Sequence, residues 1–251
     1  MLRASLADKK IKAILFDLGD TLLTFGTFDR SALFGVACRQ SYDFLKQCGQ
    51  PVGNYAVYYI QIWLGLYFRL IVSKITGNDF DSLEMLKMYG RKHNFSLSDE
   101  QWEEFNWVWY EPAFRQSSTE EGLADTLGRL REQGLKLAIV SNTFVNGAVL
   151  DRHLEKENLT DFFEFRMYSC QFSYRKPDKR IFIGAAEKIG FRPEEIMFVG
   201  DRIDNDIQGS MAVGMTPVLK NAHMNAGKKM LKGLKRIDKI AELPELLEVA
   251  V

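Results

Sequence analysis

The feature that most constrains this chain is the stretch 12–23, in which the apolar run Ala13-Ile14-Leu15-Phe16 delivers Asp17 into the turn Leu18-Gly19-Asp20-Thr21. Four apolar residues closed by turn-forming Gly and Asp read as a strand covered on both faces, the kind found in parallel sheets layered with helices. The carboxyl end of such a strand opens into the crevice where ligands bind in open α/β sheets. Taken alone, Asp17 reads more simply as the cap of a helix starting at Thr21. Its role is therefore decided by what the rest of the chain places beside it.

The pattern of a strand ending on polar residues recurs. From residue 120 onward helices and strands alternate. A strand over 136–140 ends on Ser141-Asn142-Thr143, and a weaker one over 164–168 leads to Tyr174-Arg175-Lys176-Pro177. A third, 196–199, ends on Gly200-Asp201, and a fourth spans 216–219. Helices are predicted over 120–133, 145–157, 178–189 with Pro177 in the first turn, after the turn Gly200-Asp201 through Met211, and over 243–249. Between residues 28 and 116 only helices are convincing, over 29–49, 55–76, 82–93 and 98–114. The last of these opens on Ser98 and Gln101 at capping-box spacing. The chain thus predicts an α/β fold: a Rossmann-like, doubly wound parallel sheet from residues 1–27 and 117–251, with an inserted all-helical cap over 28–116. Its 251 residues and 46% apolar content suffice for such a core.

Charge and cysteine usage exclude several classes of function. Lys+Arg and Asp+Glu both number 33, so no global field draws nucleic acid or an anionic membrane. Residues 220–239 are rich in Lys and Arg but lack interleaved aromatics, and read as a solvated loop. The three cysteines, Cys38, Cys48 and Cys170, have neither disulfide nor metal-ligand spacing. With no apolar leader ahead of the first strand, a cytoplasmic protein is expected. The run 55–75 is the one stretch apolar enough to resemble a membrane span, but Gln61, Arg69 and several tyrosines favour an amphipathic or buried helix. The partners expected are a small molecule and, at most, a second copy of the chain, monomer or homodimer.

In a parallel sheet the polar strand ends share one edge. Asp17 and Asp201 would face each other across a few ångströms, where like charges in a partly dry cleft repel by several kcal/mol. They require a cation, and hard oxygen ligands that leave room for water and phosphate suit Mg²⁺. A metal, one Lys and Ser or Thr hydroxyls would bind a phosphoryl group, with Asp17 placed to attack phosphorus in line.

The ordered motifs Asp17-Leu18-Gly19-Asp20-Thr21, Ser141-Asn142, Lys176-Pro177-Asp178, and Gly200-Asp201 with Asp206 ahead of Gly214-Met215 resemble those of the haloacid dehalogenase-like hydrolase superfamily. The resemblance implies that Asp17 is the nucleophile and forms an aspartyl intermediate, and that Lys176 steadies it. Asp17, the Gly19 carbonyl and Asp201 would hold Mg²⁺ with Asp206 in support, and Ser141, Asn142 and Thr21 would contact phosphate. Asp204 has no counterpart. One departure stands out: family phosphatases carry a second Asp, the general acid and base, where this chain has Gly19. Asp20 is the neighbouring carboxylate that could serve instead. The function expected is Mg²⁺-dependent hydrolysis of a small phosphorylated metabolite, with slow breakdown of the phosphoenzyme. A haloacid dehalogenase, or a weakened phosphate-binding regulatory module, are the alternatives. In the cap, Arg69 and Arg115 are the candidate anion contacts.

Overall fold

The computed structural model describes residues 11–27, 29–227 and 233–248. Its strands in chain order are β1 (Ala13–Phe16), β2 (Leu23–Thr24), β3 (Ser118–Thr119), β4 (Lys136–Ser141), β5 (Arg166–Tyr168), β6 (Ile196–Gly200), β7 (Thr216–Lys220) and β8 (Lys235–Ile237). Six form one parallel sheet in the order β5-β4-β1-β6-β7-β8, with β1 inside it. Phe16 pairs with Ile139 on one side and Val199 on the other. That register brings Asp17, the next residue, level with the ends of β4 and β6.

Side chains of each strand alternate between two faces, and both faces are packed. Ile14 and Phe16 join Leu137, Ile139, Met197 and Val199 on one side. Ala13 and Leu15 join Ala138, Val140, Ile196 and Phe198 on the other. The first face is covered by α5 (Leu123–Glu132) and α6 (Gly147–Lys156), the second by α7 (Lys179–Ile189). All four residues of β1 are wholly buried, which is why its sequence is a continuous apolar run rather than an alternating one.

Four helices lie between β2 and β3: α1 (Arg30–Gln47), α2 (Tyr55–Thr76), α3 (Ser82–Lys92) and α4 (Asp99–Gln116). Each begins on a side-chain cap, Asp29, Asn54, Asp81 and Ser98 in turn, and the Ser98–Gln101 capping box forms as the spacing predicts. They have a core of their own around Tyr58, Ile62, Leu86 and Phe105. β2 and β3 pair antiparallel, so the chain leaves and re-enters the sheet layer through a two-stranded ribbon.

Three local expectations change. Pro177 stands before the helix rather than in its first turn: Asp178 caps α7 by accepting from Arg180 N at 2.9 Å, and the Lys176–Pro177 peptide is cis. After Asp201 the chain makes a wide π turn (Ile203–Ile207) before the short α8 (Gln208–Met211). The basic stretch 220–239 is not wholly a solvated loop. Lys235–Ile237 is the sixth strand, with Ile237 buried, and Lys220 is buried 3.0 Å from Glu120. The open edge of β7 needs a partner for its backbone groups, and three residues suffice to supply one. Residues 228–232 of that stretch lie outside the described residues. The last helix, α9, spans Leu243–Glu248; Val249 of the predicted helix also lies outside them.

Candidate active site

At the carboxyl edge of the sheet the register places three carboxylates together. Asp17, Asp201 and Asp206 are all buried, and each offers an oxygen within 4.8 Å of the others. Asp17 is held by its backbone N–H, which donates to Val199 O at 2.9 Å. Asp201 follows β6, where the Asn225 amide donates to its carbonyl and to Lys220 O, both at 2.8 Å. Asp206 reaches back from the π turn, and its Oδ2 accepts from Arg202 N at 2.9 Å. Gly200 makes that return possible: a Cβ there would lie 2.5 Å from Asp206 Oδ2 and 2.7 Å from its Cβ.

Lys176 enters this cluster from the loop before α7 and is itself buried. Its ammonium donates to Asp17 Oδ1 at 2.6 Å and to Val140 O at 2.8 Å, and lies 2.7 Å from Asp206 Oδ1. Burial alone would lower the Lys176 pKa, but the charges of Asp17 and Asp206 outweigh it and raise it. Asp201 has no hydrogen-bonded cation among the described residues. Burial first, then the charges of Asp17, Asp206 and Asp20, push its carboxyl up to about 8. Asp206 is likewise raised by burial, against the pull of Lys176. Three carboxylates thus face one ammonium in a buried pocket, and an oxygen-only donor set short of positive charge fits a hard divalent cation.

The remaining sequence-predicted residues take varied positions. Ser141 is buried at the end of β4, and the buried Thr21 hydroxyl has no hydrogen-bond partner among the described residues. Asn142 is engaged otherwise than expected. Its amide donates to Lys176 O at 2.7 Å and its carbonyl accepts from Lys176 N at 2.8 Å, so the side chain clamps the lysine's own backbone. Gly19 and Leu23 form a small bridge, and Asp20 turns through a left-handed conformation, φ 55°. Asp20 Oδ1 accepts from Phe25 N at 3.1 Å, which fixes the carboxylate near Asp201. Asp204 points away, paired with Arg202 at 3.0 Å on the surface.

Beside Lys176 lies a cavity of about 600 Å³ lined by Asn78, Asn142, Arg175, Arg180 and Arg202 among others. Arg69 and Arg115 do not line it. The Arg69 guanidinium is taken up by Met88 Sδ, 2.9 Å away, and by the Phe80 ring, and Arg115 pairs with Glu111 at 2.9 Å. Arg175 carries no motif of its own, yet it joins the helical segment to the sheet layer. It donates to Asp79 Oδ1 at 2.6 Å and to Ser73 Oγ at 3.0 Å, while Ser169 Oγ donates to Asp79 Oδ2 at 2.5 Å. Next to it Asp81 accepts from the Asn146 amide at 2.7 Å, and Phe80 stacks on Phe144 at 5.1 Å.

A family model described as haloacid dehalogenase-like hydrolase matches residues 11–214. Glyceraldehyde 3-phosphate phosphatase of Pyrococcus furiosus is 29% identical over 96% of this chain and 93% of its own length. Pyrimidine 5′-nucleotidase PynA of Streptococcus pneumoniae is 25% identical over 84% of each chain. Among solved structures, a 2-haloacid dehalogenase from Pseudomonas syringae superposes with a TM-score of 0.66 at 22% identity, covering 96% of this chain and all of its own. A phosphatase from Thermococcus onnurineus gives 0.59 at 22% identity, over 94% and 98% of the two chains.

Proposed function

Because the chain belongs to the haloacid dehalogenase-like hydrolase family, we propose that it is a Mg²⁺-dependent phosphomonoester hydrolase that works through an aspartyl-phosphate on Asp17. The observation that carries this reading is the buried Lys176 ammonium, 2.6 Å from Asp17 and 2.7 Å from Asp206, with Asp201 as a third carboxylate beside them. Lys176 holds one oxygen of Asp17. The other, Oδ2, accepts no hydrogen bond from the described residues and is the oxygen free to attack phosphorus. The P–O ester bond breaks, and the leaving alcohol takes a proton from Asp20. Water then attacks the phosphorus of the aspartyl-phosphate and gives its proton back to Asp20, releasing phosphate and restoring the Asp17 carboxylate. Ser141 and Thr21 bind the phosphoryl oxygens, and Asn142 keeps Lys176 in register. Asp17, Asp201 and the Gly19 carbonyl would hold Mg²⁺, with Asp206 behind them. When bound, the ion supplies positive charge against the phosphoryl oxygens.

In this reading the helical segment acts as a cap. Its α2–α3 loop, tied down through Asp79 and Asp81, covers the site and excludes water. The substrate is a small phosphorylated metabolite whose distal part would extend into the polar cavity beside Lys176. The names of the relatives, a triose phosphate phosphatase and a pyrimidine nucleotidase, point to that class. Arg175 and Arg202 take the place of Arg69 and Arg115 as contacts for its distal part.

Release of p-nitrophenol from its phosphate tests the reading, with a triose phosphate and a pyrimidine nucleoside 5′-monophosphate alongside. Turnover should be abolished by EDTA and restored by Mg²⁺. Metal-independent chloride release from 2-chloropropionate, without phosphate release, would assign the chain to dehalogenation. Failure to turn over any phosphate, while vanadate raises the melting temperature, would mark a binding module.

A further inference from the structure

The strongest unassigned feature of the molecule is the outer side of α2. Ten apolar side chains of this one helix are each at least 39% exposed, Phe68 at 67% and Ile75 at 78%. Together they present on the order of 1,000 Å² of apolar surface, where the largest patch on an ordinary monomer is about 300–600 Å². The other side of the helix is fully used: Tyr58 and Ile62 lie in the helical core, the Tyr58 hydroxyl meets Ser41 Oγ at 2.8 Å, and Ser73 bonds Arg175 and Asp79. Because α2 is pinned in this way, its outer side cannot be buried by turning the helix inward.

We propose that this face is a homodimer interface, in which α2 packs against α2 of a second copy of the chain. The spacing of the exposed residues supports a helix as the occupant. Val57, Ile60, Leu64, Tyr67 and Ile71 follow each other at intervals of three and four, the seam by which two helices interlock at a small crossing angle. The seam and its flank at Ile75 run for about 27 Å, long enough for a continuous helix pair. The exposed area matches the ~800 Å² per partner of a standard stable interface. Trp63 and Tyr67 are already stacked on each other, with ring centroids 5.3 Å apart and planes within 3°, forming a rigid aromatic anchor of the kind that concentrates binding energy.

Charge selects the partner. α2 contains no acidic residue and only two cations, Arg69 and Lys74, and Arg69 is turned to Met88 and Phe80 within its own subunit. An antiparallel pair places the two Lys74 side chains at opposite ends, so nothing in the interface repels. A lipid surface suits the face less well, because helices that lie on anionic membranes carry a fringe of Lys and Arg that α2 lacks. The same helix ends at Thr76 and Gly77, which line the cavity beside Lys176.

The test uses the full chain. By sedimentation equilibrium the protein should have twice the 28.8 kDa chain mass at micromolar concentration. The double variant Leu64→Glu/Phe68→Glu, altered at two exposed positions outside the active site, should weaken dimerisation by at least about 100-fold. It should keep the wild-type circular dichroism and p-nitrophenyl phosphate turnover. Val36→Glu, an equally exposed apolar position on α1, should leave the dimer intact. A wild-type monomer at 100-fold higher concentration would overturn the proposal, as would a dimer that survives the double variant. A monomer that instead floats with phosphatidylcholine/phosphatidylglycerol vesicles, and loses that binding in the double variant, would overturn it in favour of a membrane surface.

Discussion

Residue 19 is where this chain departs from the family pattern, and the structure makes the departure testable. Gly19 has no positive φ, and a Cβ built on it would meet only Phe25 Cε2, at an ordinary 3.9 Å. The backbone therefore does not require glycine, and a carboxylate could be accommodated. Asp20 carries the only side-chain carboxylate of this turn, and its Oδ1 is already committed to Phe25 N. A proton donor held this way is poorly free to move, so hydrolysis of the phosphoenzyme should lag behind its formation. Rapid-quench kinetics should show a product burst stoichiometric with enzyme. Gly19→Asp should raise steady-state turnover by about 10²-fold and shrink the burst, in line with the usual contribution of a placed acid and base. A linear wild-type trace together with an unchanged Gly19→Asp rate would show that the missing side chain is not limiting.

At the scale of elements, the site depends on how strands and helices meet. β1 lies between β4 and β6, so Asp17 is flanked by Ser141 and Asp201, and the lack of a Cβ on Gly200 admits Asp206. A second junction joins α4 to α6 through a buried histidine. His153 Nδ1 is 2.8 Å from the Tyr110 hydroxyl and Nε2 is 3.2 Å from Ser117 Oγ, with Phe25 and Phe114 against the ring. Burial pushes its pKa down to about 4, below the ~6.5 of an exposed histidine. The sign follows: the unfolded chain takes up this proton first, so stability is full above pH 6.5 and falls as the pH drops toward 4. Between pH 7 and pH 4.5 this group should remove about 2–3 kcal/mol. Calorimetry at the two pH values should show a smaller loss in His153→Gln, whose side chain does not titrate. An equal loss in both proteins would assign the acid sensitivity to the carboxylates instead.

At the scale of the whole molecule, the fold was legible in the chain because a parallel sheet writes itself as continuous apolar runs ending on polar residues, and a helical insertion as capped, periodic segments. Asp17, Asp201 and Lys176 were legible for the same reason, each standing at a strand end or beside the Pro that precedes α7. What escaped depends on long-range contacts. Asn142 looked like a phosphate ligand and is a clamp on the Lys176 backbone. Arg175 has no local signal and gains its role only when Asp79, ninety-six positions away, folds against it. β8 has three residues, too few for any periodicity to register. The sequence of α2 shows a helix but not the exposure of its outer side, since an apolar helix looks the same whether its own subunit or another covers it.

In the proposed mechanism an oxygen of Asp17 attacks phosphorus, and that step can be read directly. The protein is mixed with Mg²⁺ and p-nitrophenyl phosphate, quenched in acid during turnover and reduced with borohydride, which converts an aspartyl-phosphate to homoserine. Peptide mass spectrometry should then find homoserine at position 17, and none in Asp17→Asn. Ongoing turnover with an unmodified Asp17, or homoserine at any other aspartate, would contradict the account.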